Sequence, residues 1–140
     1  MGILDIVQTK LDTVLLPDGV LSHHLRRVKV EKIAGTKTPV NNDEYVVYRL
    51  VSSRDSAYGD GNAQLVRQYV DINYYYSYEK TDARYKDAER RIKAIKKAFL
   101  SDPRFRLSNG ESDIYDTDNP YRGINVEFLF IGVIDNGKNG

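Results

Sequence analysis

The sequence of 140 residues contains no cysteine, no tryptophan and only two histidines. Without cysteine the chain has no disulfide, no thiolate metal site and no cysteine nucleophile, which fits a reducing compartment. His23 and His24 are adjacent, so in a strand they would point to opposite faces and in a helix they would lie about 100° apart. Neither arrangement chelates a metal, and the chain has no third histidine to complete a zinc site. We interpret both as solvent-exposed loop residues and expect no metal, no cofactor and no catalytic residue.

Long apolar runs are also missing. None approaches the roughly 20 residues of a membrane span, and the N-terminus lacks the features of a signal peptide. The net charge is only +1, so overall electrostatics favour neither nucleic acid nor an acidic surface as partner. Hydrophobic residues make up 41% of the chain and charged residues 29%, as in ordinary globular proteins. We expect one domain over residues 1–134, a flexible C-terminal tail over 135–140 and no membrane partner.

Hydrophobic periodicity predicts two helices. The first is predicted over Ile3–Leu16, where apolar residues recur at the spacing of one helical face. The second is predicted over Asp82–Leu100, after a cap at Thr81 or Asp82. Its buried stripe is predicted to be Tyr85, Ala88, Ile92, Ile95 and Phe99.

Period-two alternation predicts the strands, which are Leu25–Ile33, Glu44–Ser53, Ala63–Ser77 and Ile124–Ile134. The second of these is apolar on both faces, which favours a central position in the sheet. Asn109-Gly110 predicts the type I′ turn of a hairpin within residues 104–116. The order of elements predicts an α+β fold, with a mostly antiparallel β-sheet and the two helices packed against it.

The acidic stretch before the last strand has the spacing of a calcium loop only in part. Asp116, Asp118 and Glu127 occupy positions one, three and twelve of an EF-hand. Pro120 and Tyr121 occupy positions five and six, and position six requires glycine. We therefore interpret this stretch as an acidic surface loop and expect no calcium site.

No nucleophile with a neighbouring base is identifiable from the sequence. A pair of carboxylates such as Asp71 and Glu127 would suit a hydrolase if the fold brought them together, but the sequence does not place them. A carboxylate-based enzyme is therefore the less favoured alternative to a non-enzymatic role.

Five tyrosines lie between positions 69 and 78. By strand alternation Tyr74 and Tyr76 belong to an apolar face and are predicted to lie in the core against a helix. Tyr69 and Tyr75 belong to the opposite, mixed face together with Asp71. Large aromatics on a mixed face are typical of a surface that a protein partner buries. Base stacking is the alternative use, but stacking platforms carry interleaved basic residues, which this run lacks.

Charge is segregated along the chain. Residues 80–97 contain eight basic and three acidic residues, a net charge of +5, whereas residues 109–127 contain five acidic and one basic residue, a net charge of −4. This pattern suits a subunit whose positive side meets the negative side of its neighbour, and it equally suits charge balance within one subunit. The candidate contacts are a basic stripe on the second helix and an acidic group. The basic stripe consists of Lys86, Arg90, Lys93 and Lys97, and the acidic group of Asp113, Asp116 and Asp118.

The order of elements and three of its segments together resemble a known family. These segments are "EYVVYRLVSSRDSAYGDGN", "VDINYYYSYEKTDARYKDAERRIKAIKKAF" and "YDTDNPYRGINVEFLFIG". With the N-terminal helix, they resemble the tail terminators of long-tailed bacteriophages, also called tail completion or tail-to-head joining proteins. The resemblance covers about Ile3 to Ile134.

This resemblance implies a structural, non-enzymatic subunit. Such subunits form a homohexameric ring that caps the tail tube, stops tube polymerisation and offers a docking surface to the head connector. The implied partners are further copies of the chain, the major tail tube protein and the head-completion or connector protein. DNA would pass through the lumen without sequence-specific binding, and the near-neutral charge suits such passage. The implied location is the tail–head junction of the virion, after assembly in the host cytoplasm. Another small protein-binding module is the alternative.

The polar loop at residues 54–62 generates a first prediction. It contains Tyr58, Gly59, Asp60, Gly61 and Asn62 and has little apolar area to hold it against its own domain. We expect this loop to be mobile in the isolated subunit and ordered after assembly. Hydrogen exchange should be fast at residues 58–62 in the monomer and slower in the assembly. Strong protection of these amides in a monomer would contradict the expectation.

Overall fold

The computed structural model describes residues 2–28, 30–52, 63–77, 81–114 and 121–135. The two helices are α1 (Ile3–Leu15), which a 3₁₀ turn at Leu16–Asp18 extends, and α2 (Thr81–Leu100). The five strands are β1 (Leu21–His24), β2 (Glu44–Ser52), β3 (Ala63–Ser77), β4 (Phe105–Ile114) and β5 (Tyr121–Asp135). No helix among the described residues is long and apolar enough to cross a membrane.

The strands form one sheet in the order β1-β2-β3-β5-β4. β1 runs parallel to β2, and every other pair is antiparallel. β3 and β5 pair along all fifteen residues of each strand, so they form the backbone of the sheet. The predicted α+β fold with a mostly antiparallel sheet is confirmed, although β3 rather than β2 lies at the centre.

Both helices cover the same face of the sheet. The buried stripes of α1 and α2 form one hydrophobic core with the inward-facing residues of β2, β3 and β5. Tyr74 and Tyr76 belong to this core, as their alternation predicts. The rings of Phe99 on α2 and Phe128 on β5 stack with centroids 4.7 Å apart, at the end of α2. Burial of one such side chain contributes about 1.5–3 kcal/mol to stability.

The predicted strand at Leu25–Ile33 is wrong. β1 instead covers Leu21–His24, and a tight turn ends it, because Leu25 has a φ of 74° and the Arg26 N–H donates to the His24 carbonyl. The side chain of Arg27 then folds back over the Tyr45 ring, 4.2 Å from its centroid. The alternation of valines with charged residues that suggests a strand is real, but none of the described strands pairs with this segment.

The predicted hairpin around Asn109-Gly110 is also wrong. β4 is a single strand that pairs with β5 throughout, and its register shifts twice, between Leu107 and Asn109 and between Asn109 and Ser112. Each shift inserts one extra residue on β4, which is the geometry of a β-bulge. Gly110 does not adopt the positive φ that a type I′ turn requires. The long edge of β5 offers more hydrogen bonds than a local turn, so Asn109 and Gly110 become part of the bulged strand.

A buried polar network fastens α2 to the sheet. Glu44 at the start of β2 is 2% exposed, and Arg91 on α2 is 8% exposed. Arg91 Nη1 donates to Glu44 Oε2 at 2.8 Å, and its Nε donates to Asp18 Oδ2 at 3.2 Å. The Tyr74 hydroxyl donates to Glu44 Oε1 at 2.7 Å, and the Asn41 amide donates to Oε2 at 3.1 Å. Burial and then the Glu44 carboxylate raise the pKa of Tyr74, so its hydroxyl stays protonated and remains a donor.

The far end of α2 is fastened to α1 through Asp102. This carboxylate accepts hydrogen bonds from Arg104 at 2.7 and 3.0 Å and lies 3.2 Å from the Lys10 ammonium on α1. Hydrogen bonding from Arg104 and the nearby Lys10 charge lower the pKa of Asp102 despite its burial. A carboxylate whose pKa is lowered by folding stabilises the protein at neutral pH, and this contribution is lost as the pH falls through the folded-state pKa.

Arg91→Ala is predicted to be strongly destabilising, whereas Arg90→Ala is not. Removing Arg91 leaves Glu44 buried without its cation, and breaking a buried ion pair costs about 3–5 kcal/mol. The adjacent Arg90 has a side chain that is 62% exposed and contacts Asp87 at 3.5 Å, so its removal should cost about 0–1 kcal/mol. Urea unfolding of the two variants measures the difference, and similar losses in both would contradict the prediction.

Candidate functional site

No described helix covers the sheet face opposite α1 and α2. We call it the open face and define it by three residues on β2, four on β3 and three on β5. These are Tyr45, Arg49, Val51, Arg67, Tyr69, Asp71, Tyr75, Gly123, Glu127 and Leu129. Cross-strand pairing arranges them in rows across the sheet, with an aromatic end, a polar middle and an apolar end.

The aromatic end brings together residues from four separate segments. Tyr45 and Tyr75 stack with centroids 5.1 Å apart, and Tyr121 meets Tyr45 edge-on at 5.3 Å. The Arg27 guanidinium lies over Tyr45, and its Nη2 donates to the Asn42 carbonyl at 3.0 Å. Burial raises the pKa of both Tyr45 and Tyr75, so the two phenols are neutral at physiological pH. The result is an aromatic patch with polar tips, a composition typical of protein interfaces.

Gly123 makes room for this arrangement. A Cβ atom at this position would lie 3.1 Å from the Tyr75 ring and 3.0 Å from the Tyr74 carbonyl oxygen. Glycine therefore allows the Tyr75 ring to lie close to the backbone of β5. A glycine in a strand interior often marks such a close approach.

The polar middle brings Asp71 and Glu127 together as cross-strand partners. Asp71 accepts from Arg49 Nε at 3.1 Å and from the Asn125 amide, and Glu127 accepts from the Ser108 hydroxyl at 2.9 Å. Both carboxylates thus have donors already, and they lie side by side on the open face of the sheet. The described residues contain no group of three His, Cys, Asp or Glu side chains placed to hold a metal ion.

The apolar end is a row formed by Val51, Tyr69 and Leu129. Val51 is exposed, and the other two side chains are half-buried. Arg106 of β4 pairs with Leu129 and adds a positive charge beside this row. Tyr69 and Tyr75 therefore share the open face, as predicted, but they lie at its opposite ends.

The basic stripe lies on the other side of the molecule, because α2 packs on the core face of the sheet. All four of its residues are exposed. Arg90 contacts Asp87 at 3.5 Å and Asp18 at 3.9 Å, whereas Lys86, Lys93 and Lys97 form no ion pair with any described residue. The stripe and the tyrosines are thus two separate surfaces.

The acidic group is only partly described. Asp113 is exposed on β4, whereas Asp116 and Asp118 lie outside the described residues, as do the loop residues Tyr58 to Asn62. Lys96 on α2 lies 3.7 Å from Glu111 on β4, so part of the charge segregation is balanced within one subunit. The roles of the stripe and of the acidic group as interfaces stay predictions.

The two histidines lie in β1 rather than in a loop, which corrects their interpretation. His23 is half-buried, and burial together with the charge of Arg27 lowers its pKa, so it is neutral at physiological pH. The His24 ring lies 5.4 Å from the ring of Tyr48. Both side chains are part of the sheet surface.

Sequence reasoning missed Arg27, Tyr45 and Tyr121 as members of the aromatic end. Each lies on a different segment, and only the register of the sheet brings them together. The period-two pattern of β2 places Tyr45 opposite its core-facing neighbours, which is the one sequence signal available for it.

Comparisons with known proteins give a structural likeness and no sequence match. No protein-family model matches the chain, and no curated protein sequence gives a significant match. Among solved structures, the fold is similar to the sheath/tube terminator of PVC, an extracellular contractile injection system, in its extended state. The TM-score is 0.47 at 7% sequence identity; the alignment covers 100% of this chain, which spans 59% of that neighbour. This degree of likeness by itself assigns no function.

Gly123→Ala is predicted to disturb the aromatic end, because the added methyl group would press on the Tyr75 ring and on the Tyr74 carbonyl. Crowding of this kind costs about 1–3 kcal/mol. Gly110→Ala is the matched control on β4, where a Cβ atom would meet no atom within 4 Å. Urea unfolding should separate the two variants, and near-UV circular dichroism should change only for Gly123→Ala. Unchanged tyrosine signals in that variant would argue against the close approach.

Proposed function

We propose that this protein is a structural tail terminator, a subunit that caps a tail tube as a ring, stops its polymerisation and presents a docking surface to a head connector. The proposal rests on the resemblance of the sequence segments quoted above and on the open face of the sheet. It assigns no catalytic step to the chain.

The open face is the observation that carries the proposal. Interfaces between proteins combine aromatic and apolar anchors with a polar surround, and tyrosine and arginine are enriched among their energetically important residues. The open face has an aromatic end around Tyr75 and an apolar end around Tyr69, separated by a row of paired charges at Arg49 and Asp71. Such a surface suits a broad, flat protein partner better than a small molecule, which would need a concave pocket.

A terminator also needs more than one contact surface, because it meets further copies of the chain as well as a tube and a connector. The open face and the basic stripe lie on opposite sides of the sheet and differ in character. Exposed charge pairs contribute about 0–1 kcal/mol each, so aromatic contacts are proposed to supply most of the affinity. The charges of the stripe are proposed to set orientation and association rate against an acidic partner surface.

The proposed partners are those that the resemblance implies. Further copies of the chain form the ring, six in number by the resemblance, with the tail tube protein below it and the head-completion or connector protein above it. DNA would pass through the lumen, and the net charge of +1 adds little salt-sensitive attraction to its phosphates. The proposed location is the tail–head junction of a virion or of a related tail-like particle.

This function is tested by measuring tail length and head joining in particles whose genome encodes the chain. Arg90→Glu with Lys93→Glu should leave the free energy of unfolding within about 1 kcal/mol of wild type, because both side chains are exposed. Electron microscopy of these particles should show overlong tails or tails without heads. Thr13→Glu, an exposed acid introduced on α1, is the control and should give normal particles.

Two results would count against the proposal in different ways. Normal particles from the double variant would remove the basic stripe from the contact surfaces. Normal particles assembled without the protein would end the terminator assignment altogether.

A further inference from the structure

We propose that the segment after β1 binds the outer edge of β4 in a second copy of the chain, so that neighbouring subunits join through opposite edges of their sheets. We call this segment the basic arm and define it by Leu25, Arg26, Val28, Val30 and Lys32. The acidic edge is Asn109–Ile114 of β4. The inference rests on the proposed ring and names its subunit contact.

The basic arm exposes apolar side chains that its own subunit does not cover. Leu25 is 66% exposed, Val28 is 54% exposed and Val30 is 37% exposed. Three large apolar residues within six positions form a patch, and contiguous exposed apolar patches mark interaction sites. Their alternation with charged residues is the pattern that predicts a strand, although none of the strands in the described part of the chain pairs with this segment.

The basic arm is nevertheless held in place at both ends. Arg27 stacks on Tyr45 and donates to the Asn42 carbonyl, and Ile33 is buried. Val28 and Val30 line a shallow cavity together with Leu21 of β1, which places the arm beside that edge strand. An anchored segment loses less conformational entropy on binding than a loose one, so the exposed residues are pre-organised for a partner.

The charge of the arm identifies the partner's chemistry. Arg26 and Lys32 are exposed and form no ion pair with any described residue. A partner surface that is acidic, exposed and accessible along an edge would complement both the charges and the valines. Charge complementarity of this kind fixes register and suppresses wrong partners.

The acidic edge of the same chain has those properties. β4 pairs with β5 on one side, and no described strand pairs with its other side. Glu111 and Asp113 are exposed there, Lys96 of α2 lies 3.7 Å from Glu111, and no basic residue stands between Asn109 and Ile114. The two bulges of β4 interrupt its hydrogen-bond spacing, so side chains rather than continuous strand addition make the contact.

The position of the two surfaces favours a ring over a simple dimer. β1 and β4 are the two opposite edges of the sheet, so an arm beside β1 that meets β4 of the next copy makes a head-to-tail contact. Head-to-tail contacts can close into cyclic assemblies, whereas a face that meets its own copy closes a two-fold dimer. This contact also leaves the open face uncovered for the tube or the connector.

A charge exchange tests the contact. Arg26→Glu with Lys32→Glu makes the arm acidic, and Glu111→Lys with Asp113→Lys makes the edge basic. Each variant alone juxtaposes like charges, and we expect association on the order of 100-fold weaker in each. A mixture of the two should associate again, because each junction then joins opposite charges in an alternating assembly. Analytical ultracentrifugation measures this, and a mixture as weak as its components would overturn the proposal.

Cysteine cross-linking detects the contact even where association is weak, because the natural chain has no cysteine. Val28→Cys combined with Ser112→Cys should give a ladder of disulfide-linked oligomers under mild oxidation. A mixture of the two single-cysteine variants should stop at dimers. Dimers alone from the double-cysteine variant would overturn the head-to-tail geometry.

The basic stripe supplies the competing explanation and a control. Arg90→Glu with Lys93→Glu in the double-cysteine background should keep the ladder, whereas Arg26→Glu with Lys32→Glu should remove it. The reverse result would make the basic stripe of α2, rather than the basic arm, the partner of the acidic edge on β4. If the ladder is missing but particles still need the protein for correct tail length, the contact is refuted and the terminator function stands. If the ladder forms but particles assemble normally without the protein, the contact stands and the terminator function is refuted.

Discussion

The buried ion pair between Arg91 and Glu44 is the constraint on which the rest of the structure depends. It joins the middle of α2 to the first residue of β2, and Tyr74 connects it to β3. Because two charges removed from water are tolerated only when each is fully hydrogen-bonded, the pair fixes α2 in one position over the sheet. The helix layer is thereby held to one face, and the opposite face keeps its tyrosines uncovered. The candidate interface is in this sense a consequence of the core.

Much of the fold could be predicted from the sequence, and the failures have physical causes. Long, strongly periodic segments such as α2 and β3 carry their own signal, since burial of one face decides their structure. The segment from Leu25 to Ile33 has an equally clear alternation, but pairing depends on a neighbouring edge that no local pattern reports. Asn109-Gly110 has the residues of a tight turn, yet the long edge of β5 offers more hydrogen bonds than the turn does. In both cases tertiary pairing overrides local preference.

The candidate site could likewise be predicted where the alternation of one strand decides it, and not where several segments meet. Alternation along β3 separates Tyr74 from Tyr75 and so predicts one face in the core and one face outside. The aromatic end needs more, because Arg27, Tyr45 and Tyr121 come from segments whose register only the folded sheet defines. Arg91 is the clearest omission. In the sequence it is one of many basic residues on a charged helix, and nothing local distinguishes it from the exposed Arg90 beside it.

The bulged edge of β4 has a consequence for how the chain behaves when it is crowded. A regular edge strand invites copies to pair without limit, which is the first step toward fibrils. Two extra residues put the backbone donors and acceptors of β4 out of step with any straight strand laid beside them. The β4 edge is therefore a poor template for a further strand, and any contact made along it depends on side chains that meet in a defined geometry.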